Sequence, residues 1–396
     1  MSLSIRRKPY VIPEYSLTGD LLAYLSCGLQ YRYHSKGSLP PSTPVQLWFG
    51  EFIHGVMEEA YLRWRERKDH QQFPWNWAPE IREVELEIDR RLRAKGLYPT
   101  PRVFCPYDSS TTTQGLCPDA AHPHKLIASS RAEASINTWG PHLFPLIDES
   151  EVILKGIRGM PNYQPGISRS NYYGVTGVID VISSVRLRSC SPGNLILHYM
   201  HQNPCVQKIL ADLAVSEYEV IIDYKGMRRP STNSDRWDHH KWQILTYAWL
   251  RSQVPGAKRI VAGILFYLNE LVLSGEDTAM LKDDVVNSST DIMPRGQDES
   301  SIRRWKPRSP TPNISGPFRE ERSIRIVPCT PDPVGNALQQ FDGVVDRIEN
   351  CVLSETRGRS IVSSWQPNPD ERNCTACDFK TFCPNPKPGR YVPAVP

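Results

Sequence analysis

The sequence predicts an α/β chain, and two kinds of pattern predict it. Short β-branched runs read as strands at Val152 to Ile157, Tyr172 to Ser183 and Val220 to Ile222. Between them, apolar residues recur at helical spacing, most clearly through Phe49, Phe52, Ile53, Val56, Met57, Ala60 and Tyr61. The 396 residues suffice for one large, decorated domain or for two.

Composition narrows the class. Hydrophobic residues make up 39% and charged residues 23%, as in a soluble globular protein. The net charge of +4 permits a nucleic-acid partner without arguing for one, so any basic surface must be local. The 35 prolines, near twice the usual share of about 5%, predict long irregular insertions. The start has basic residues but no apolar run behind them, so no signal peptide is read there. Ile260 to Leu273 is broken by Asn269 and Glu270 and is too short to span a bilayer. A cytoplasmic protein is expected. Ten cysteines in such a chain favour metal binding over disulfides wherever they cluster tightly.

Taken in order, residues 1–13 read as an extended arm. Ser16 then caps a helical pattern, SLTGDLLAYLSCGLQYRYHSKG, with Leu17, Leu21, Leu22 and Leu25 apolar and Cys27 near its end. Arg32 among Tyr24, Tyr31 and Tyr33 could meet a nucleic-acid backbone and bases, though such mixtures are common on ordinary helices. In the next helix His54 lies at the edge of the apolar stripe. Gly50, one turn earlier on the same face, leaves open space beside the imidazole. Glu80 to Leu97 reads as a charged amphipathic helix. The Pro-, Ser- and Thr-rich stretch that follows holds Cys105, Cys117, His122 and His124, residue types that suit zinc but whose spacing fits no finger pattern. It reads as a loop insertion.

Ile127 to Phe144 is helical in pattern, and two strands follow. In the second, Val178, Asp180 and Ile182 share one face by the period of two. An acid between apolar neighbours is costly to bury unless it is paired or binds metal. A long connection with a helix around Val206 to Leu213 leads to EVIIDYKG, where Asp223 and Lys225 point to one side and Tyr224 to the other. A carboxylate and an ammonium together at a strand end can hold a metal and stabilise developing negative charge. A surface ion pair is the plainer reading. His239 to Arg251 forms a helix with Gln243 and Tyr247 on one face. Arg259 to Leu273 reads as a strand and its exit, 274–322 as a flexible insertion, Ser323 to Val327 as a last strand and Val334 to Leu353 as a helix. The tail carries Cys374, Cys377 and Cys383 as C-x2-C-x5-C. Three thiols so close predict a metal or cluster, for which a fourth ligand must come from elsewhere.

The order of these parts resembles the iron–sulfur branch of the PD-(D/E)XK nucleases, the Cas4-like, AddB-like and Dna2-like enzymes. A helix ending in a lone cysteine, YLSCGLQYRY, precedes a G-x3-H helix, GEFIH. GVID, ending at Asp180, precedes the D-x-K strand of Asp223 and Lys225. Q-x3-Y, Gln243 to Tyr247, precedes the C-x2-C-x5-C tail. These pieces span residues 17–383. The resemblance implies a restriction-endonuclease-like fold: a mixed central sheet flanked by helices, in a single nuclease domain with insertions over 1–396. Its parts are N-terminal helices (14–67), a loop insertion (98–125), the core (150–273), a flexible insertion (274–322) and a C-terminal strand, helix and tail (323–396).

The resemblance also implies that Cys27 joins Cys374, Cys377 and Cys383 around a [4Fe–4S] cluster tying the N-terminal helix to the tail, with zinc as the alternative for the same thiolates. It implies a divalent ion, Mn²⁺ or Mg²⁺, on His54, Asp180, Asp223 and the Tyr224 carbonyl. Lys225 would then stabilise the transition state, with Gln243 and Tyr247 supporting it. The implied activity is a metal-dependent deoxyribonuclease, an exonuclease on single-stranded ends. It would act in CRISPR adaptation, DNA repair and recombination or phage defence, beside a helicase or integrase. The competing reading is a non-catalytic DNA-end-binding or assembly subunit that keeps the fold. A zinc-stabilised interaction protein is a third.

Overall fold

The computed structural model describes residues 11–36, 45–68, 72–107, 125–186, 193–212, 217–375 and 377–389. Six strands form one mixed sheet: β1 (Glu14–Ser16), β2 (Glu149–Gly159), β3 (Tyr172–Arg186), β4 (Glu217–Lys225), β5 (Ile260–Tyr267) and β6 (Ile324–Pro328). β2 and β3 make a long antiparallel pair. On the other edge of β3, β1 runs parallel to Gly174–Thr176, and β4 runs antiparallel to Val181–Arg186. β4 and β5 are parallel, and β6 closes the sheet antiparallel to β5. The strands expected from the β-branched runs all form. β1 escaped the sequence because three residues carry no period.

Helices cover both faces. On one lie α3 (Val45–Glu66), α4 (Arg82–Ala94) and α5 (Ile127–Leu143), packed on Val220, Ile222, Ile264 and Phe266. On the other lie α8 (Asp235–Ser252) and α12 (Pro331–Thr356), packed on Ile182, Ile221, Leu265 and Tyr267. α8 lies close against the sheet because glycines sit beneath it. A Cβ on Gly263 would stand 2.0 Å from Ile244, and one on Gly177 would stand 2.6 Å from the Tyr247 ring, so no larger residue fits without displacing the helix. The connection between β3 and β4 carries two short helices, α6 (Leu195–Gln202) and α7 (Pro204–Ala211), each with an asparagine cap that accepts from backbone amides.

Two expectations need correcting. Residues 274–322 are not a flexible insertion. They fold as α9 (Gly275–Val286), α10 (Gly296–Arg304) and α11 (Gly316–Ser323) around a small core of Leu281, Val285, Ile302, Ile314 and Phe318. Buried ion pairs dock this unit on the sheet: Arg322 with Glu270 at 2.7 Å and Arg228 with Asp284 at 2.6 Å. Part of the polar composition that suggested a loop is made of such paired charges. Nor do Val178 and Ile182 share a face. Ile179 packs on the α8 side and Val181 on the α3 side, so the strand alternation switches at Asp180 and leaves Val178 exposed.

The described N-terminal and C-terminal segments meet. After β1, a tight helical turn (Leu17–Leu22) runs into α1 (Ala23–Ser26). Cys27 is extended and breaks α1 from α2 (Gly28–Lys36). Arg32 forms a two-pronged pair with Glu355 of α12 at 2.7 and 2.6 Å, and Arg169 pairs with Glu349. Arg32 is therefore spent on the fold rather than offered to a nucleic acid. Tyr24 and Tyr31 pack against Trp365, and Tyr33 packs against Phe379 in the tail. Among the described residues, no helix is long and apolar enough to cross a membrane.

Candidate active site

The β3–β4 ladder ends at the pair Val181 and Ile222. One more step in the same register would set Asp180 opposite Asp223. Two carboxylates directly opposed repel each other, and the ladder stops there. Past that point the Asp180 side chain takes the place of a strand carbonyl: its Oδ2 accepts from the Tyr224 amide at 2.7 Å. Two core strands thus part around two acids. Asp180 and Asp223 are only 8% and 2% exposed, yet both line an open cleft of about 740 Å³.

His54, on α3, reaches Asp180 from the other side, with Nδ1 3.2 Å from Oδ2. α3 is held in place by its buried stripe, while His54 stays at the stripe's edge. Nothing lies within 4 Å of where a Gly50 Cβ would be, so the space beside the imidazole is open. Burial works against charge on His54, but the Asp180 carboxylate and the Asp223 charge outweigh it and raise its pKa to about 9. Burial works the same way on Asp180, whose pKa nonetheless falls because of His54, Lys225 and the Tyr224 amide. Asp223 goes the other way, pushed up by burial and, against the pull of Lys225, by the charge on Asp180.

Lys225 Nζ stands 2.6 Å from Asp223 Oδ2 and donates to Gln243 Oε1 at 2.7 Å. The Gln243 amide in turn donates to the Tyr247 hydroxyl at 3.0 Å. Gly177 of the G-x2-D segment has a physical reason here, since its missing side chain leaves room for the Tyr247 ring. The chain Gly177, Tyr247, Gln243, Lys225 fixes the ammonium from the sheet outward. The plain surface ion pair is excluded, because Asp223 is buried. Tyr224 sends its ring into the α3-side core, edge-on to His54.

A cation suits this donor set. Asp223 Oδ2 is buried and has no hydrogen-bond partner, because the Lys225 contact is close but not aligned as a hydrogen bond. Glu151 also enters the cleft. It is exposed at the cleft's edge, where partial desolvation and the charges of Asp180 and Glu58 raise its pKa to about 7. It was missed in the sequence because its approach depends on β2–β3 register and on a kink, neither of which leaves a pattern. Glu58, one turn beyond His54 on α3, was within reach of helical spacing.

The second predicted set also comes together. Cys27, Cys374, Cys377 and Cys383 line one small hollow, with Gln30, Pro367 and Lys380 around them. Burial raises the Cys377 thiol, the Phe379 amide is directed at its sulfur, and the Cys27 and Cys374 sulfurs raise it further. Among the described residues, His54, Glu151 and Asp180 form the one group of three or more ligand side chains whose donor atoms lie within 4.8 Å of one another. Cys105 is buried in the α4 region, while Cys117, His122 and His124 lie outside the described residues.

No curated protein matches the chain. The mixed sheet flanked by helices fits the PD-(D/E)XK fold. The matched span holds Asp223, Lys225, Gln243, Tyr247 and the three tail cysteines, while His54, Asp180 and Cys27 precede it and are brought to the same two places by the fold. Residues 210–384 match the model of the PD-(D/E)XK nuclease superfamily.

Proposed function

We propose that the chain is a Mg²⁺- or Mn²⁺-dependent deoxyribonuclease that hydrolyses phosphodiester bonds at the cleft. The observation that carries this reading is the parting of β3 and β4 around Asp180 and Asp223, with Lys225 2.6 Å from Asp223. Asp180, Asp223 and His54, with the Tyr224 carbonyl, are the residues that would hold the ion. When bound, such an ion supplies Lewis-acid charge at the scissile phosphate and makes a water more acidic. The protein's own residues do the rest. Lys225, held by Gln243, keeps a positive charge aimed where the phosphorane builds negative charge. Tyr247 fixes the Gln243 amide so that its oxygen faces Lys225.

The four cysteines are proposed to hold a [4Fe–4S] cluster that joins α1 and α2 to the tail. A single zinc at about 2.3 Å from each sulfur would draw the four within roughly 4 Å of one another. What supports the site is that the four cysteines line one small hollow, and the choice of cluster over zinc follows the resemblance. Exonuclease action on single-stranded ends is the mode we propose, by resemblance.

The test is cleavage of single-stranded and duplex DNA with Mn²⁺ or Mg²⁺, by the parent and by Asp223→Ala. Metal-dependent cleavage lost in the variant supports the assignment. Cleavage by the variant equal to the parent's overturns it. A parent that binds DNA ends without cutting them under either ion supports the assembly-subunit reading instead.

A further inference from the structure

The cleft contains a carboxylate that lies outside the motifs and outside the superfamily span. Glu151 sits on β2 opposite Asp180: the flanking pairs are Ser150 with Val181 and Val152 with Ile179. Its φ of 52° is left-handed, an unfavourable conformation for a non-glycine residue that surrounding structure must enforce. The kink coincides with the switch of side in β3, so both strands of the hairpin are irregular at the same level. There Glu151 brings one oxygen, Asp180 another and His54 a nitrogen to within 4.8 Å of one another. Among the described residues, no hydrogen bond or ion pair engages the Glu151 carboxylate. A separate observation concerns the same cleft: Asp223 Oδ2 is buried, faces it and has no aligned hydrogen bond, only the Lys225 ammonium 2.6 Å away, so an ion there would meet a second buried carboxylate.

We propose that Glu151 is a ligand of the cleft's divalent cation, acting with His54 and Asp180. The inference rests on the nuclease reading and adds a residue to it. One imidazole and two carboxylates form a mixed nitrogen and oxygen set, which takes Mn²⁺ in preference to Mg²⁺. The left-handed turn at Glu151 is then the device that delivers an edge-strand acid to a metal held by core elements.

The test is Mn²⁺ binding to the full-length protein without DNA, followed by loss of the free-ion signal in electron paramagnetic resonance. It compares the parent, Glu151→Gln and Asp180→Asn, each with its metal-free melting curve. The expected result is binding by the parent, weakened about tenfold or more in Glu151→Gln, with metal-free melting unchanged. Should the glutamine variant fail to fold, Glu151→Asp keeps the charge, shortens the reach and is expected to weaken binding as well. Binding by Glu151→Gln at the parent's affinity, with Asp180→Asn impaired, overturns the role of Glu151 and leaves the nuclease reading standing. A folded parent that takes up no Mn²⁺ overturns both.

Discussion

In the cleft, Asp180 and Lys225 are held by bonds the protein makes itself. Asp180 is pinned by the Tyr224 amide, and Lys225 by Gln243 and, through it, Tyr247. In the cysteine hollow, by contrast, the four thiols come from the two ends of the chain, Cys27 near the start and Cys374 to Cys383 near the finish. The cleft is set in the sheet, between core strands that cannot move without opening two hydrophobic layers. The hollow lies beyond α12 and is anchored by Arg32 with Glu355 and by Tyr33 against Phe379. Chemistry and closure are thus assigned to separate regions, and each should fail in its own way.

The largest effect is expected from Asp223→Asn. Cleavage should fall about a hundredfold or more, because the residue proposed to hold the ion loses its charged ligand. The fold should not suffer. Burial and Asp180 disfavour the charge on Asp223 while Lys225 favours it, so these opposing effects should leave the metal-free melting temperature little changed. An inactive variant that also melts much earlier would mean that this aspartate is structural. Cys27→Ser should do the reverse. It should remove iron and brown colour and lower the melting temperature, while cleavage falls less than in Asp223→Asn. The Arg32–Glu355 ion pair should keep α2 and α12 together. Iron analysis and activity on the same preparation check this. Equal loss of cleavage in both variants would dissolve the separation between cleft and hollow.

Much of this was legible before the fold, and the reasons differ by residue. Asp223 and Lys225 were readable because a strand has a fixed period, and Gln243 with Tyr247 because a helix does. The tail cysteines were readable because spacing alone carries the signal. His54 stood at the edge of an apolar stripe, where helical periodicity places it. The β2–β3 irregularity was hidden, since a strand that changes side has no sequence mark, and with it Glu151 and the true facing of Val178. The helices of 274–322 were hidden for another reason. Their core is five side chains, and their charges are paired across the fold with Glu270 and Arg228, so the local sequence looks solvated.

Gly177→Ala gives a finer test of the cleft's own support. The added methyl would meet the Tyr247 ring at 2.6 Å, and overpacking of this kind typically costs about 1–3 kcal/mol. The shift should pass along Tyr247 and Gln243 to Lys225, lowering turnover more than substrate affinity. A double variant with Tyr247→Phe keeps the clash and removes the hydroxyl. If Gly177→Ala lowers turnover equally in both backgrounds, the hydroxyl link to Gln243 does not transmit the effect.

The smallest expected effect concerns pH. His240, on α8, hydrogen-bonds the Tyr267 hydroxyl at 2.9 Å through Nδ1. Burial, with the charges of Lys225 and Arg236 added, lowers its pKa from 6.5 to about 2. A histidine whose folded pKa is depressed stays neutral in the fold but takes a proton in the unfolded chain once pH drops below 6.5. The unfolded chain then binds more protons, so stability must decline as pH falls through that range. Between pH 6.5 and 5 the usual carboxylates remain largely ionised, so the window isolates this group from most acids. The metal-free melting temperature should fall across it, and His240→Gln, which keeps a hydrogen bond to Tyr267 and cannot titrate, should flatten the slope. The cysteine hollow has no part in this behaviour, so Cys27→Ser should retain the parent's slope. A slope that survives in His240→Gln would assign the acid sensitivity to other histidines that burial keeps neutral, His239, His142 and His201 among them.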